Sequence, residues 1–157
     1  MEKAFKSLCK RVNRLPRLRL ANLPTPLQEM PRLSKFLDGP KLWVKRDDLT
    51  GMAFGGNKER KTEFVLADAL QKGADVIITT GSIQSNHARV TAAAAKKLGL
   101  KVVLVLRGKE PREYDGNLLL DYLLGADIRF VQVGGQQTLS VMERISEELR
   151  REGYNPY

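Results

Sequence analysis

In 157 residues there is one cysteine, Cys9, and one histidine, His87. A single cysteine excludes an internal disulfide and suits a reducing compartment. One cysteine and one histidine cannot build a His/Cys metal cluster, so no metal is expected. No apolar run approaches the ~20 residues of a membrane-spanning helix, so no membrane partner and a cytoplasmic location are expected. There is no G-x-G-x-x-G and no P-loop, so a dinucleotide or ATP site has no support. Aromatic residues are scarce at 6% and do not interleave with the basic ones as in a single-strand binder.

What is present fits one ordinary globular domain, with 42% apolar and 29% charged residues. The net charge of +9 is mostly local. Met1–Arg19 holds Lys3, Lys6, Lys10, Arg11, Arg14, Arg17 and Arg19 against Glu2 alone. A basic arm by itself is a weak nucleic-acid footprint, and no nucleic-acid partner is expected. The arm reads as an amphipathic helix with Phe5, Leu8, Cys9 and Val12 on one face, ended before Pro16. A transit peptide can also be basic and poor in acids; a native first helix is the preferred reading.

Leu23-Pro24-Thr25-Pro26-Leu27 reads as extended or turn-like. Arg32–Leu37 is a predicted short helix, closed by Asp38-Gly39-Pro40. Lys41–Lys45 alternates as a strand and runs into a charged corner, Arg46-Asp47-Asp48. Strands are then predicted at Val76–Thr80, Val102–Leu106 and Ile128–Val133. Helices are predicted at Ala88–Leu98, Asn117–Leu124 and Thr138–Arg151, the last amphipathic through Leu139, Met142, Ile145 and Leu149. This alternation predicts an α/β fold, a parallel sheet with flanking helices.

Gly55-Gly56-Asn57-Lys58 ends in a sharp turn followed at once by a helical pattern, with Phe64, Val65, Ala67 and Leu70 on one face and Gly73 as its C-cap. Lys58 and Lys61 fall on one face at that helix start. Two cations beside free backbone N–H groups suit an anion. A lysine near another cation also loses its proton more easily, and a neutral amine can attack a carbonyl to form a Schiff base. A solvated, Lys-rich first turn has the same pattern. In a parallel sheet, ligands bind beyond the carboxyl ends of the strands. The loop Gly81–His87 lies there, and Ser85 or Asn86 can cap the next helix.

Together, Lys45-Arg46-Asp47-Asp48-Leu49-Thr50, Gly55-Gly56-Asn57-Lys58 with Arg60-Lys61, Thr80-Gly81 through Gln84-Ser85-Asn86-His87-Ala88-Arg89, and Leu98-Gly99-Leu100-Lys101 with Val103-Leu104-Val105-Leu106 resemble the pyridoxal-phosphate enzymes of the 1-aminocyclopropane-1-carboxylate deaminase / D-cysteine desulfhydrase family. The resemblance runs from Leu15-Pro16-Arg17 to Gly153-Tyr154-Asn155-Pro156-Tyr157. It implies the tryptophan-synthase-β-like fold (fold type II), truncated: 1–56 as the N-terminal segment of the larger domain and 57–157 as an incomplete smaller α/β domain. A further strand after Tyr157 is implied, leaving the sheet with an open edge.

The resemblance implies pyridoxal 5′-phosphate as cofactor and a small amino acid as substrate. Lys58 is then the Schiff-base lysine that later moves the substrate's proton, and Lys61 the phosphate contact. Asn86 bonds the cofactor's 3′-oxygen, with Asn57 beside Lys58. Ser85 contacts the substrate carboxylate and relays a proton; Gln84, Asn86 and His87 flank the substrate. A homodimer is implied for the complete protein. Glu59 and Thr62 depart from the family pattern. Glu59 is expected to pair with Arg60 or Lys61, and Thr62 to cost packing. His87 after Ser85-Asn86, and Asp47 after Arg46, are similar to the desulfhydrase branch and imply β-elimination from D-cysteine. 1-Aminocyclopropane-1-carboxylate deamination and L-cysteate sulfo-lysis are the alternatives within the family. A truncated chain without catalysis is the alternative outside it.

Overall fold

The computed structural model describes residues 2–157. Helix α1 (Glu2–Val12) leads to strand β1 (Leu27–Glu29), helix α2 (Pro31–Phe36) and strand β2 (Trp43–Lys45). Two short 3-10 turns, Asp47–Thr50 and Met52–Phe54, precede helix α3 (Lys58–Gln71). Strand β3 (Val76–Ser82), helix α4 (Asn86–Lys97), strand β4 (Lys101–Arg107), helix α5 (Gly116–Leu123), strand β5 (Asp127–Val131) and helix α6 (Gly135–Arg151) follow.

Strands β3, β4 and β5 form a parallel sheet in that order. Alternation along β4 decides the layers, because successive strand residues face opposite sides. Val102, Leu104 and Leu106 join Leu66, Ala92, Ala95 and Leu118 from α3, α4 and α5 in one core. Val103 and Val105 face the other way and meet Ile145 and Leu149 of α6. A strand covered on both faces reads as a continuous apolar run, as β4 does. Each fully buried Leu or Val contributes about 1.5–3 kcal/mol. Ala88, Ala92, Ala94 and Ala95 are all fully buried, and their small size lets α4 sit close to the sheet.

Several expectations need correction. Residues 27–29 form a strand paired antiparallel with β2, with Leu27 opposite Lys45; three residues after two prolines carry little strand signal. β3 runs on to Ser82, because Gly81 pairs with Leu106 and Ser82 with Arg107. On α3 the predicted apolar face is rotated. Val65 and Leu70 are exposed, while Glu59, Thr62, Glu63, Leu66 and Ala69 are buried. The buried polar residues explain the rotation. Thr62 Oγ1 donates to the Lys58 carbonyl at 3.0 Å, so Thr62 is satisfied rather than misfitted. Glu63 accepts from Arg17 Nε at 2.7 Å, Leu20 N at 2.8 Å and Ala21 N at 2.9 Å. The expected open edge of β3 is partly covered. Tyr157 N donates to Val76 O and Ile78 N to Tyr157 O, both at 2.9 Å.

Candidate active site

Residues 53–56 form a run of left-handed backbone: Ala53 has φ 46°, Phe54 67°, Gly55 68° and Gly56 118°. Left-handed Ala and Phe are strained and persist only where the surroundings hold them. Glycine is required at 55, where a Cβ would lie 2.3 Å from the Asp48 carbonyl oxygen. Gly56 N donates to Asp47 O and to Thr50 Oγ1, both at 2.8 Å. Arg60, on the first turn of α3, donates to both oxygens of Asp47 at 2.6 and 2.8 Å. That pairing holds the Asp47 carboxyl below the usual carboxylate range. The charged corner is thereby tied to the turn that delivers Lys58.

Lys58 opens α3, after Asn57 at the N-cap position. Among the described residues its Nζ reaches only Asn57 Oδ1, at 3.4 Å. Lys61 follows one turn on, and partial burial and then the Lys58 charge lower its ammonium below the ordinary lysine value. Glu59 does not form the expected pair with Arg60 or Lys61. Arg60 is committed to Asp47, and the fully buried Glu59 carboxylate has no hydrogen-bond partner among the described residues. Burial pushes its carboxyl upward.

The second strand-end loop carries the other predicted residues. Ser85 caps α4, its Oγ accepting from Ala88 N at 3.2 Å. It packs so tightly on β3 that a Cβ at Gly81 would meet Ser85 Cβ and Oγ at 2.4 Å. Asn86 Oδ1 accepts from Asn117 Nδ2 at 3.0 Å, which leaves the Asn86 NH₂ as the free donor. The Gln84 amide is engaged with α5: Nε2 donates to Asp115 Oδ1 and Oε1 accepts from Asn117 N, both at 2.8 Å. The half-buried His87 ring lies between the hydroxyls of Thr79 at 3.1 Å and Thr91 at 3.3 Å. Burial, then the charges of Lys61 and Lys58, hold its pKa below the ordinary histidine value, so it is neutral at pH 7.

Lys58, Asn57 and Asn86 come together in one cleft of ≈ 430 Å³, walled also by Asp47, Phe54 and Arg89. Lys61, Gln84, Ser85 and His87 stand outside its walls, on the same two helix starts. A larger cleft of ≈ 640 Å³ lies against Met30, Leu33 and Val44, away from both helix starts. Volume therefore does not mark the site; convergent polar groups do. Sequence reasoning missed Arg89 and Asn117 as parts of it. A lone arginine inside the Ala-rich run of α4 was the available signal.

The geometry thus offers an amine without an ion pair, a second cation, two helix N-termini and an oriented amide. Residues 18–157 match the pyridoxal-phosphate dependent enzyme family. The chain belongs to that family. It is 50% identical over 145 residues to a putative 1-aminocyclopropane-1-carboxylate deaminase of Pyrococcus horikoshii, covering 92% of this chain and 44% of that protein. It is 44% identical over 151 residues to a D-cysteine desulfhydrase of Salmonella paratyphi B, covering 93% of this chain and 45% of that one. The crystal structure of an ACC deaminase homologue superposes with a TM-score of 0.86 at 49% identity, over 93% of this chain and 44% of that one. Escherichia coli diaminopropionate ammonia lyase shares the fold, with a TM-score of 0.66 at 20% identity over 86% of this chain and 38% of that one. The chain spans less than half the length of these relatives. The expected parallel α/β fold of pyridoxal-phosphate enzymes is shown.

The residues present fit a pyridoxal-phosphate group. An aldehyde needs an amine free of competing ion pairs, and Lys58 has none among the described residues. A phosphate needs cations and N–H groups, which Lys61 and the starts of α3 and α4 supply.

Proposed function

We propose that this chain supplies the cofactor-holding lysine and the substrate-facing loop of a lyase that eliminates the β-substituent of a small amino acid, with D-cysteine as the substrate. One observation carries the reading. Lys58, unpaired at a helix start in a member of this family, shares a cleft with an Asn86 amide whose acceptor side is already tied. Lys58, Asn57 and Asn86 would hold the cofactor, with Lys61 on the phosphate side. Pyridoxal phosphate, when bound, supplies the electron sink that stabilises negative charge at the substrate's α-carbon.

The chain's own residues do the rest. Lys58 Nζ takes the α-proton and later returns a proton. Asn86 Nδ2 donates into the cleft in a direction fixed by Asn117. Ser85 Oγ–H and the N–H groups at the start of α4 receive the substrate carboxylate. Gln84 holds the loop against α5, and neutral His87 supports it from behind without adding a third cation. The products from D-cysteine are pyruvate, ammonia and sulfide. A second reading, ring opening of 1-aminocyclopropane-1-carboxylate, is favoured by the names of the relatives that are 50% identical.

The test begins with the protein incubated with pyridoxal phosphate, reduced with borohydride and digested. The label is expected on Lys58; a label on Lys61, or on neither lysine, refutes the assignment. Activity is then compared on the two substrates in the complete enzyme that carries this segment. Sulfide and ammonia released from D-cysteine support the first reading. Ammonia from the cyclopropane substrate alone replaces it with the second.

A further inference from the structure

Arg89 is 8% exposed and bridges the two halves of the site. Its Nη2 donates to the Gly55 carbonyl at 2.9 Å, inside the left-handed turn that delivers Lys58. Its Nη1 donates to Asn117 Oδ1 at 2.8 Å. Asn117 passes the contact on, with Nδ2 donating to Asn86 Oδ1 at 3.0 Å and to Gln84 O at 2.9 Å. One guanidinium therefore spans from the backbone just before Lys58 to the amide facing it across the cleft. These contacts come at a cost. Among the described residues Arg89 Nε is buried without a partner, and so are both carboxylate oxygens of Asp121. A buried charge of this kind is poor evidence of stabilisation, since well-packed apolar residues often do as well or better. Its geometry serves placement instead.

We propose that Arg89 is a positioning residue that fixes the Lys58 turn and the Asn86 amide relative to each other, through Asn117. This rests on the reading of Lys58 as the cofactor lysine. The planar fork explains why arginine stands here: it reaches two acceptors in fixed directions, which a lysine cannot do. Arg89 lines the cleft but hydrogen-bonds neither Lys58 nor Asn86 among the described residues, so the effect proposed for it runs through Gly55 and Asn117.

The experiment compares wild type with Arg89→Met, Arg89→Lys and Asn117→Ala. The first readout needs no cofactor. In amide-resolved NMR of the protein alone, Arg89→Met is expected to move the Asn86 side-chain NH₂ and the Gly56 and Lys58 amides, while α6 stays unchanged. Asn117→Ala, at a half-buried position, is expected to move Asn86 but not Gly56, which keeps the test alive if the arginine variants fold poorly. The second readout is the rate of borohydride-trapped labelling of Lys58 by pyridoxal phosphate. It is expected to fall about tenfold in Arg89→Met, the order expected for a lost charge-assisted hydrogen bond. Arg89→Lys is expected to restore only part of it. Unmoved Asn86 and Gly56 signals, or equal labelling in wild type and Arg89→Met, overturn this inference alone. No label on Lys58 in wild type overturns the reading of the site and takes this inference with it.

Discussion

A fully buried acid sets the clearest prediction at the residue scale. Asp121 has no hydrogen-bond partner, and burial pushes its carboxyl up to about 7, with the Arg89 charge opposing. The folded state therefore holds a proton that the unfolded chain, with an Asp pKa near ~3.9, gives up earlier. Where the folded state binds the extra proton, stability falls as pH rises. The decline runs from the unfolded value to about 7 and is complete above it. Its full size is about 4 kcal/mol at one pKa unit per 1.36 kcal/mol. Asp121→Asn carries no charge at any pH, so the wild-type-minus-variant stability should drop between pH 5 and 8. Urea unfolding at the two pH values measures it, and a flat difference refutes the assignment. None of this was visible in the sequence, where Asp121 is one polar residue in Asn117–Leu124. What makes it unusual is complete burial without a hydrogen-bond partner among the described residues, which only the fold creates. Lys58 and Lys61 were legible because three-residue spacing at a helix start fixes their relation before any tertiary contact forms.

Elements are joined here through single polar side chains. Glu63 ties α3 to residues 17–21 by three hydrogen bonds while only 1% exposed. Burial works to raise its pKa, but the Ala21 and Leu20 amides and Arg17 outweigh it, so the carboxylate stays ionised. Glu63→Ala leaves the Leu20 and Ala21 donors unpaired and should cost about 1–3 kcal/mol in urea unfolding. It should also speed hydrogen exchange at Leu20 and Ala21; unchanged exchange there sinks the clamp. β3 and α4 meet at a different kind of joint. Gly81→Ala forces Ser85 away from a 2.4 Å contact, uncapping α4 and displacing the Gly81–His87 loop. The expected loss is about 1–3 kcal/mol of stability with lowered turnover in the complete enzyme. Turnover equal to wild type would show that Ser85 has room the fold does not reveal. The strands of the main sheet were legible to within a few residues because β-branched runs bounded by glycine have little other use. The face of α3 was not, because Glu59, Thr62 and Glu63 count as polar in any pattern but are buried, Glu63 on partners more than forty residues away and Thr62 on the Lys58 carbonyl.

At the scale of the whole molecule, the two sides differ in finish. The three-stranded sheet is covered on both faces, whereas the segment before α3 leaves large apolar side chains in water. Phe36 is 83% exposed, Phe54 78%, Phe5 66% and Trp43 52%. Apolar surface on this scale favours association. Light scattering at rising concentration should show this chain self-associating, and Phe36→Ser with Phe54→Ser should reduce it; a strictly monomeric wild type refutes the expectation. The chain spans less than half the length of its relatives, so turnover by this chain alone should fall far below the ~1–10³ s⁻¹ of ordinary enzymes. Such turnover would show that this segment suffices. The clamp on the far end of α3 has a consequence in time. Asn155 Nδ2 caps the carbonyls of Lys72 and Gly73, and Tyr157 reaches the Asp68 carboxylate at 2.8 Å. During synthesis, residues 58–82 emerge well before residues 155–157 exist to hold them. Helix α3 must wait for partners more than eighty positions downstream. Closing so long a loop is slow, so the last contacts to lock are those at the end of α3 opposite Lys58.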